Sequence, residues 1–119
     1  MRAPMARALV VDDDAALRLL CRVNLELDGF AVREAASVAA AQLVVETERP
    51  DVVLLDVHLG GEGTLALLDR LRASGIPVAL VTGSVDIDLY RHRADAIVPK
   101  PFNPRELVEI ARRLARVGS

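Results

Sequence analysis

The 119-residue chain is predicted to fold as one α/β domain on a doubly wound, five-stranded parallel sheet. Short β-rich runs and helical patterns alternate five times along it. The runs are apolar over most of their length, as strands covered by helices on both faces must be. No internal repeat, linker or low-complexity tract breaks the alternation, and right-handed crossovers leave few ways to wind it.

Each element has its own signals. Ala8-Leu9-Val10-Val11 is a wholly apolar run ending in Asp12, Asp13 and Asp14. Asp14 reads as the N-cap of a helix from Ala15 to about Asp28, with Ala16, Leu20, Val23 and Leu27 on its core face and Gly29 as its left-handed stop. Phe30 to Glu34 alternates like a half-buried strand, and Ser37 to Thr47 is an Ala/Val/Leu-rich helix. Pro50 resets the chain before Val52-Val53-Leu54-Leu55, which ends at Asp56. Leu59-Gly60-Gly61-Glu62-Gly63 is loop, and Thr64 can cap a helix to about Ala73, closed by Gly75. Ile76 to Val81 is a strand running into Thr82-Gly83-Ser84. A fourth helix over 85–92 is short or weak, because Val85, Ile87 and Tyr90 are poor helix formers. Ala96-Ile97-Val98 precedes Pro99-Lys100-Pro101. The last helix has Asn103 as N-cap, Pro104 at its first position and Glu106 two residues on, with Leu107, Ile110, Ala111 and Leu114 as its buried stripe.

Composition narrows the function. A chain of this length buries roughly two-thirds of its unfolded surface and needs no staples. One cysteine, Cys21, excludes an internal disulfide framework, and no Cys/His set has zinc-ligand spacing. No apolar run approaches the ~20 residues of a membrane span, and the N-terminus is unlike a secretory signal. A cytoplasmic location is expected. The formal net charge of −2 offers no electrostatic footprint for nucleic acid, and Arg105, Arg112, Arg113 and Arg116 read as a solvated helix face. Among fifteen basic residues only Lys100 is lysine, which directs attention to its position.

Ligands of an open parallel sheet sit beyond the carboxyl ends of its strands. Asp12 and Asp13 follow the first strand, Asp56 the third, Thr82 the fourth and Lys100 the fifth. With the first and third strands adjacent, three carboxylates converge, raising one another's pKa and opposing folding until neutralised. A hard cation such as Mg2+ suits them, and Mn2+ can replace it. A threonine hydroxyl and a lysine ammonium can bind further oxygens of a phosphate. The set reads as a phosphoryl acceptor with Asp56 as nucleophile. Each residue alone has a plainer reading: Asp14 as a cap, Asp12 or Asp13 as loop or cap residues, Thr82 and Lys100 as ordinary strand ends. The conjunction in strand order carries the functional reading.

Val10-Val11-Asp12-Asp13-Asp14, Pro50-Asp51-Val52-Val53-Leu54-Leu55-Asp56, Val81-Thr82-Gly83 and Val98-Pro99-Lys100-Pro101-Phe102 resemble the receiver domain of two-component response regulators, over almost the whole chain. The resemblance implies a flavodoxin-like receiver fold with strand order 2-1-3-4-5. It implies that Asp56 accepts phosphate from a histidine kinase or a histidine phosphotransfer protein. Asp12, Asp13, Asp56 and the backbone carbonyl of His58 would hold Mg2+, Thr82 and Lys100 would contact the phosphoryl group, and the Lys100–Pro101 bond would be cis, a buried proline holding the turn. Kinase helices would dock beside the first helix, where Leu25 and Cys21 are read as pointing away from the core.

The chain departs from common receivers at several points. The proline usual after the acceptor is replaced by a Gly-rich loop. Ile97 stands where many receivers carry a switching aromatic, so activation by ordering of residues 83–95 is expected in place of a ring move. Gly83 after the threonine suggests a wider, more flexible turn. Asp56-Val57-His58-Leu59-Gly60-Gly61-Glu62 and Thr82-Gly83 resemble, in part, receivers that serve HWE-type kinases, with His58 for Asn, Leu80 for Phe and Ser84 differing; the His58 side chain itself reads as solvent-facing. The expectation is one receiver domain over 1–119 without an effector domain, monomeric or weakly dimeric, whose downstream protein partner is unknown. The other reading is a receiver-like binding module that works without phosphorylation. An aspartyl-phosphate phosphohydrolase is disfavoured, since His58 occupies the position of its second aspartate.

Overall fold

The computed structural model describes residues 5–57, 63–83 and 92–118. Its strands are β1 (Arg7–Val11), β2 (Ala31–Ala35), β3 (Val52–Asp56), β4 (Val78–Thr82) and β5 (Ala96–Pro99). The helices among these residues, labelled in chain order, are α1 (Ala15–Leu27), α2 (Val38–Thr47), α3 (Thr64–Ala73) and α4 (Pro104–Gly118). The strands form one parallel sheet in the order β2-β1-β3-β4-β5. The expected helix over 85–92 lies outside the described residues but for His92.

Alternating side chains on the central strands divide the core in two. Ala8, Val10, Val52, Leu54, Ala79, Val81 and Val98 meet Cys21 and Leu25 of α1 and Leu107, Ala111 and Leu114 of α4 on one face. Leu9, Val11, Val53, Leu55, Val78 and Leu80 meet Ala41 of α2 and Leu67, Leu68 and Leu71 of α3 on the other. Both faces of the sheet are thus apolar, and the functional groups are left to its ends.

The buried stripe of α1 differs from the expected one. Cys21 and Leu25 are buried, whereas Leu20, Val23 and Leu27 are 41%, 45% and 82% exposed. The helix is apolar around most of its circumference, so periodicity alone does not fix its phase. The phase follows instead from Asp14, whose Oδ1 accepts from the amides of Ala16 and Leu17, and from Arg18 and Arg22 turning to Glu34 of β2. Leu25 therefore belongs to the core and is no docking residue.

Smaller differences have local causes. Gly63, not Thr64, holds the N-cap position of α3 at φ 105°, and Thr64 is buried as its first residue. A Cβ at Gly63 would stand 3.3 Å from Val38 Cγ1, so both the backbone and the α2 contact favour glycine. The fourth strand starts at Val78 because the Ile76 amide donates back to Leu71, closing α3. Gly29, at φ 99°, ends α1 as expected. The Asn103 cap of α4 is present, its Oδ1 accepting from the Arg105 amide. No helix among the described residues is long and apolar enough to cross a membrane.

Candidate functional site

Strand register sets the site. Val11 lies opposite Leu55, so Asp12 and Asp56 leave β1 and β3 side by side. Asp56 pairs with Val81 of β4, and Thr82 with Pro99 of β5. The Lys100 amide donates to the Thr82 carbonyl at 2.8 Å, drawing Lys100 to the same edge. Asp12, Asp56 and Thr82 are 5%, 4% and 3% exposed, at the floor of the site, while Asp13 is exposed at its rim.

One carboxylate oxygen each from Asp12, Asp13 and Asp56 lie within 4.8 Å of one another. Lys100 Nζ stands 3.4 Å from Asp56 Oδ1 and 3.7 Å from Asp12 Oδ2. Burial pushes the Asp12 carboxyl above its ordinary range; the Asp14 amide donating to its Oδ1 at 2.9 Å opposes this, Asp56 adds to the rise, and Lys100 counters it. A hard divalent cation fits this set: the donors are all carboxylate oxygens and nearly converge, and three carboxylates beside one ammonium leave the cluster with net negative charge.

The expected residues Asp12, Asp13, Asp56, Thr82 and Lys100 are thus brought to one edge. His58 lies outside the described residues. The Lys100–Pro101 bond is cis. Pro101 is exposed, not buried, because the turn from β5 to α4 crosses the surface. Ile97 lies on β5 opposite Leu80, half-buried against the cluster formed with α2 and α3. A Cβ on Gly83 would make ordinary contact with Lys100 Cβ at 3.6 Å, so glycine is not sterically required there. Cys21 sits in the core and is no surface thiol; burial pushes it up to about 11.

Sequence reasoning assigned no role to Arg18. Its guanidinium reaches back to the loop, Nη1 donating to the Asp12 carbonyl at 2.7 Å and Nε to Glu34 Oε1 at 3.2 Å. An arginine one turn beyond the cap of a helix that opens on an acidic loop was the available signal.

Sheet order and acidic edge together define a CheY-like α/β domain. Residues 8–112 match the model of the family described as "Response regulator receiver domain", and the chain belongs to that family. Phosphoryl acceptance is typical of it. Among curated proteins, the chain is 37% identical over 115 residues to the DNA-binding response regulator MtrA of Mycolicibacterium paratuberculosis, covering 92% of this chain and 51% of that one. The MtrA of Mycobacterium leprae is 37% identical over the same shares. The chain spans about half the length of these curated relatives. Among solved structures, a CheY-like receiver domain from Methanospirillum hungatei superposes with a TM-score of 0.87 at 29% identity, covering 97% of each chain. The receiver domain of NtrX from Brucella abortus gives 0.83 at 29% identity, covering 92% of this chain and 98% of that one.

Proposed function

We propose that Asp56 accepts a phosphoryl group from the phosphohistidine of a histidine kinase or a histidine phosphotransfer protein, and that the domain signals through phosphorylation-dependent protein contacts or a phosphorelay. The observation that carries this reading is the buried Asp56 carboxylate, with an ammonium 3.4 Å away and two more carboxylates within 4.8 Å. In the transfer an Asp56 oxygen bonds to phosphorus as the phosphorus–nitrogen bond of phosphohistidine breaks, and the imidazole leaves with its nitrogen lone pair.

Asp12, Asp13, Asp56 and the His58 backbone carbonyl would hold Mg2+, with Mn2+ as a substitute. When bound, the cation neutralises charge on the carboxylates and on the phosphoryl oxygens. Lys100 lies where it can bind another phosphoryl oxygen, and Thr82, ending the neighbouring strand, is the hydroxyl donor of the reading. The partial resemblance of residues 56–62 and 82–83 makes an HWE-type kinase the first donor to test. The switch is proposed to be an ordering of residues 83–95, with half-buried Ile97 unable to make an aromatic ring move. A single receiver unit in the cytoplasm completes the reading. The DNA binding of the MtrA relatives is stated for those longer proteins, and the net charge of −2 of this chain gives no electrostatic argument for nucleic acid.

The test is intact mass spectrometry after incubation with Mg2+ and acetyl phosphate. Wild type is expected to gain one phosphoryl group, and Asp56→Asn or EDTA to prevent it. Should acetyl phosphate give no adduct, a beryllofluoride and Mg2+ titration decides: binding sustains the acceptor reading, and no binding transfers support to the phosphorylation-independent module.

A further inference from the structure

We propose that Arg18 is a positioning residue for the metal-binding loop: gripped by Glu34, its guanidinium holds the Asp12–Asp13 peptide in the orientation that brings both carboxylates toward Asp56. The inference rests on the reading above that these three carboxylates hold a divalent cation.

A peptide unit is planar, so fixing its carbonyl fixes the direction in which the next residue departs. The Asp12 carbonyl accepts from Arg18 Nη1 at 2.7 Å, and the Asp12 amide donates to Ala35 of β2 at 3.1 Å. The peptide before Asp12 is thus tied to the sheet, and the peptide after it to α1. The Asp12 side chain is held in turn by the Asp14 amide at 2.9 Å. Asp13 is exposed, so its carboxylate is placed by the two peptides that flank it, one tied by Arg18 and the other by the Asp14 amide.

Arg18 is itself held. Its Nε donates to Glu34 Oε1, while Glu34 Oε2 accepts from Arg22 at 2.8 Å, and Arg22 pairs with Glu26 one turn on. The Arg18 side chain is 18% exposed and that of Glu34 25%. Only a planar fork offers two donors in fixed relation, one for a carbonyl and one for a carboxylate; a lysine ammonium on a flexible stem is not held in that way. Partners one shell out from metal ligands commonly govern affinity through such orientation.

The sign of the effect separates positioning from charge. As a mere positive charge near a cation site, Arg18 repels the cation, and its removal tightens binding. As a positioning group, its removal loosens binding. Mg2+ is titrated by calorimetry into wild type, Arg18→Met and, as a stability control, Arg112→Met, which breaks the Asp28–Arg112 ion pair at the far end of the same helix. Wild-type binding is the test of the metal reading itself, and no heat there overturns that reading. Given wild-type binding, Arg18→Met is expected to weaken Mg2+ affinity about tenfold, with Arg112→Met unchanged even at equal or greater loss of Tm. Affinity of Arg18→Met within twofold of wild type, or tighter, overturns the proposal, as does equal weakening in Arg112→Met. If Arg18→Met does not fold, Glu34→Gln, which loosens the grip on Arg18 while keeping a polar partner, decides: weakening beyond about threefold supports the proposal, and less overturns it.

Discussion

Substituting Asp12 by Asn tests the electrostatics of the site, because the Coulomb contributions there nearly cancel. Oxygens of Asp12 and Asp56 lie within 4.8 Å of one another, so at an effective dielectric of about 20 Asp56 repels Asp12 by at least about 3.5 kcal/mol. Asp13 is exposed, and at the dielectric of water it adds only about 1 kcal/mol. Lys100 at 3.7 Å returns about 4.5 kcal/mol of attraction. Burial of the carboxylate therefore decides the sign, in keeping with burial as the foremost cause of the raised Asp12 pKa. An Asn keeps the oxygen that accepts from the Asp14 amide and removes the buried charge. In EDTA near pH 7, Asp12→Asn is expected to be more stable than wild type by on the order of 1 kcal/mol, about 4 °C in Tm.

The order should reverse with metal. A hundredfold excess of Mg2+ over its Kd stabilises wild type by about 2.7 kcal/mol, while the variant lacks one of three carboxylates and gains less. The pH dependence has a definite sign. The folded pKa of Asp12 is raised, so its favourable contribution is complete below the ordinary 3.8 and is lost as pH rises through the folded value. The advantage of the metal-free variant should accordingly grow from acid toward neutral pH. Urea unfolding followed by far-UV circular dichroism, with EDTA or Mg2+, measures all three. A variant less stable than wild type in EDTA at neutral pH would refute the balance drawn here, since Lys100 would then outweigh burial and repulsion together.

Two further predictions follow from α1 and its contacts. Leu25→Ala should cost about 3 kcal/mol in urea unfolding, because Leu25 is fully buried, whereas Leu27→Ala, at a residue 82% exposed, should stay within about 0.5 kcal/mol; equal costs would undo the assignment of the buried stripe. Hydrogen bonds from Arg22, and secondarily from Arg18, hold Glu34 below its ordinary 4.5, so its contribution is present above 4.5 and lost as pH falls through the lower folded value. Acid unfolding of Glu34→Gln should therefore show a shallower loss of stability below pH 4.5 than wild type, and parallel curves would contradict the pairing.

What the sequence disclosed, and what it withheld, divides along physical lines. The sheet was legible because strands buried on both faces must be apolar throughout, and the polar residues that end them stand out against that background. Asp12, Asp56, Thr82 and Lys100 each follow or close such a run. The caps Asp14 and Asn103 were legible because a short polar side chain before a helical pattern has a local task, needing no knowledge of the fold. The buried stripe of α1 was not, because with Leu17, Leu19, Leu20, Cys21, Val23, Leu25 and Leu27 all apolar, two faces satisfy the same period. The choice between them falls to tertiary partners: Phe30 and α4 on one side, Glu34 on the other. Arg18 escaped notice for the same reason, since its two partners are the Asp12 carbonyl and a residue of the next strand.

Lys100 and Arg18 contrast in what each position asks of its cation, in a chain with one lysine and fourteen arginines. At position 18 the cation must grip two oxygens in a fixed relation, a backbone carbonyl and a carboxylate, and a rigid fork does this. At position 100 the requirement is opposite. The ammonium lies 3.4 and 3.7 Å from two carboxylates, engaging both without a close bidentate lock on either. A guanidinium there would tend to pair with one carboxylate edge-on, covering oxygens that a metal ion needs. A point charge on a flexible stem screens the acidic pair and can still turn to another oxygen. The two positive groups thus divide the work at the acidic edge: one fixes the loop that presents the carboxylates, and the other moderates their charge without closing them off.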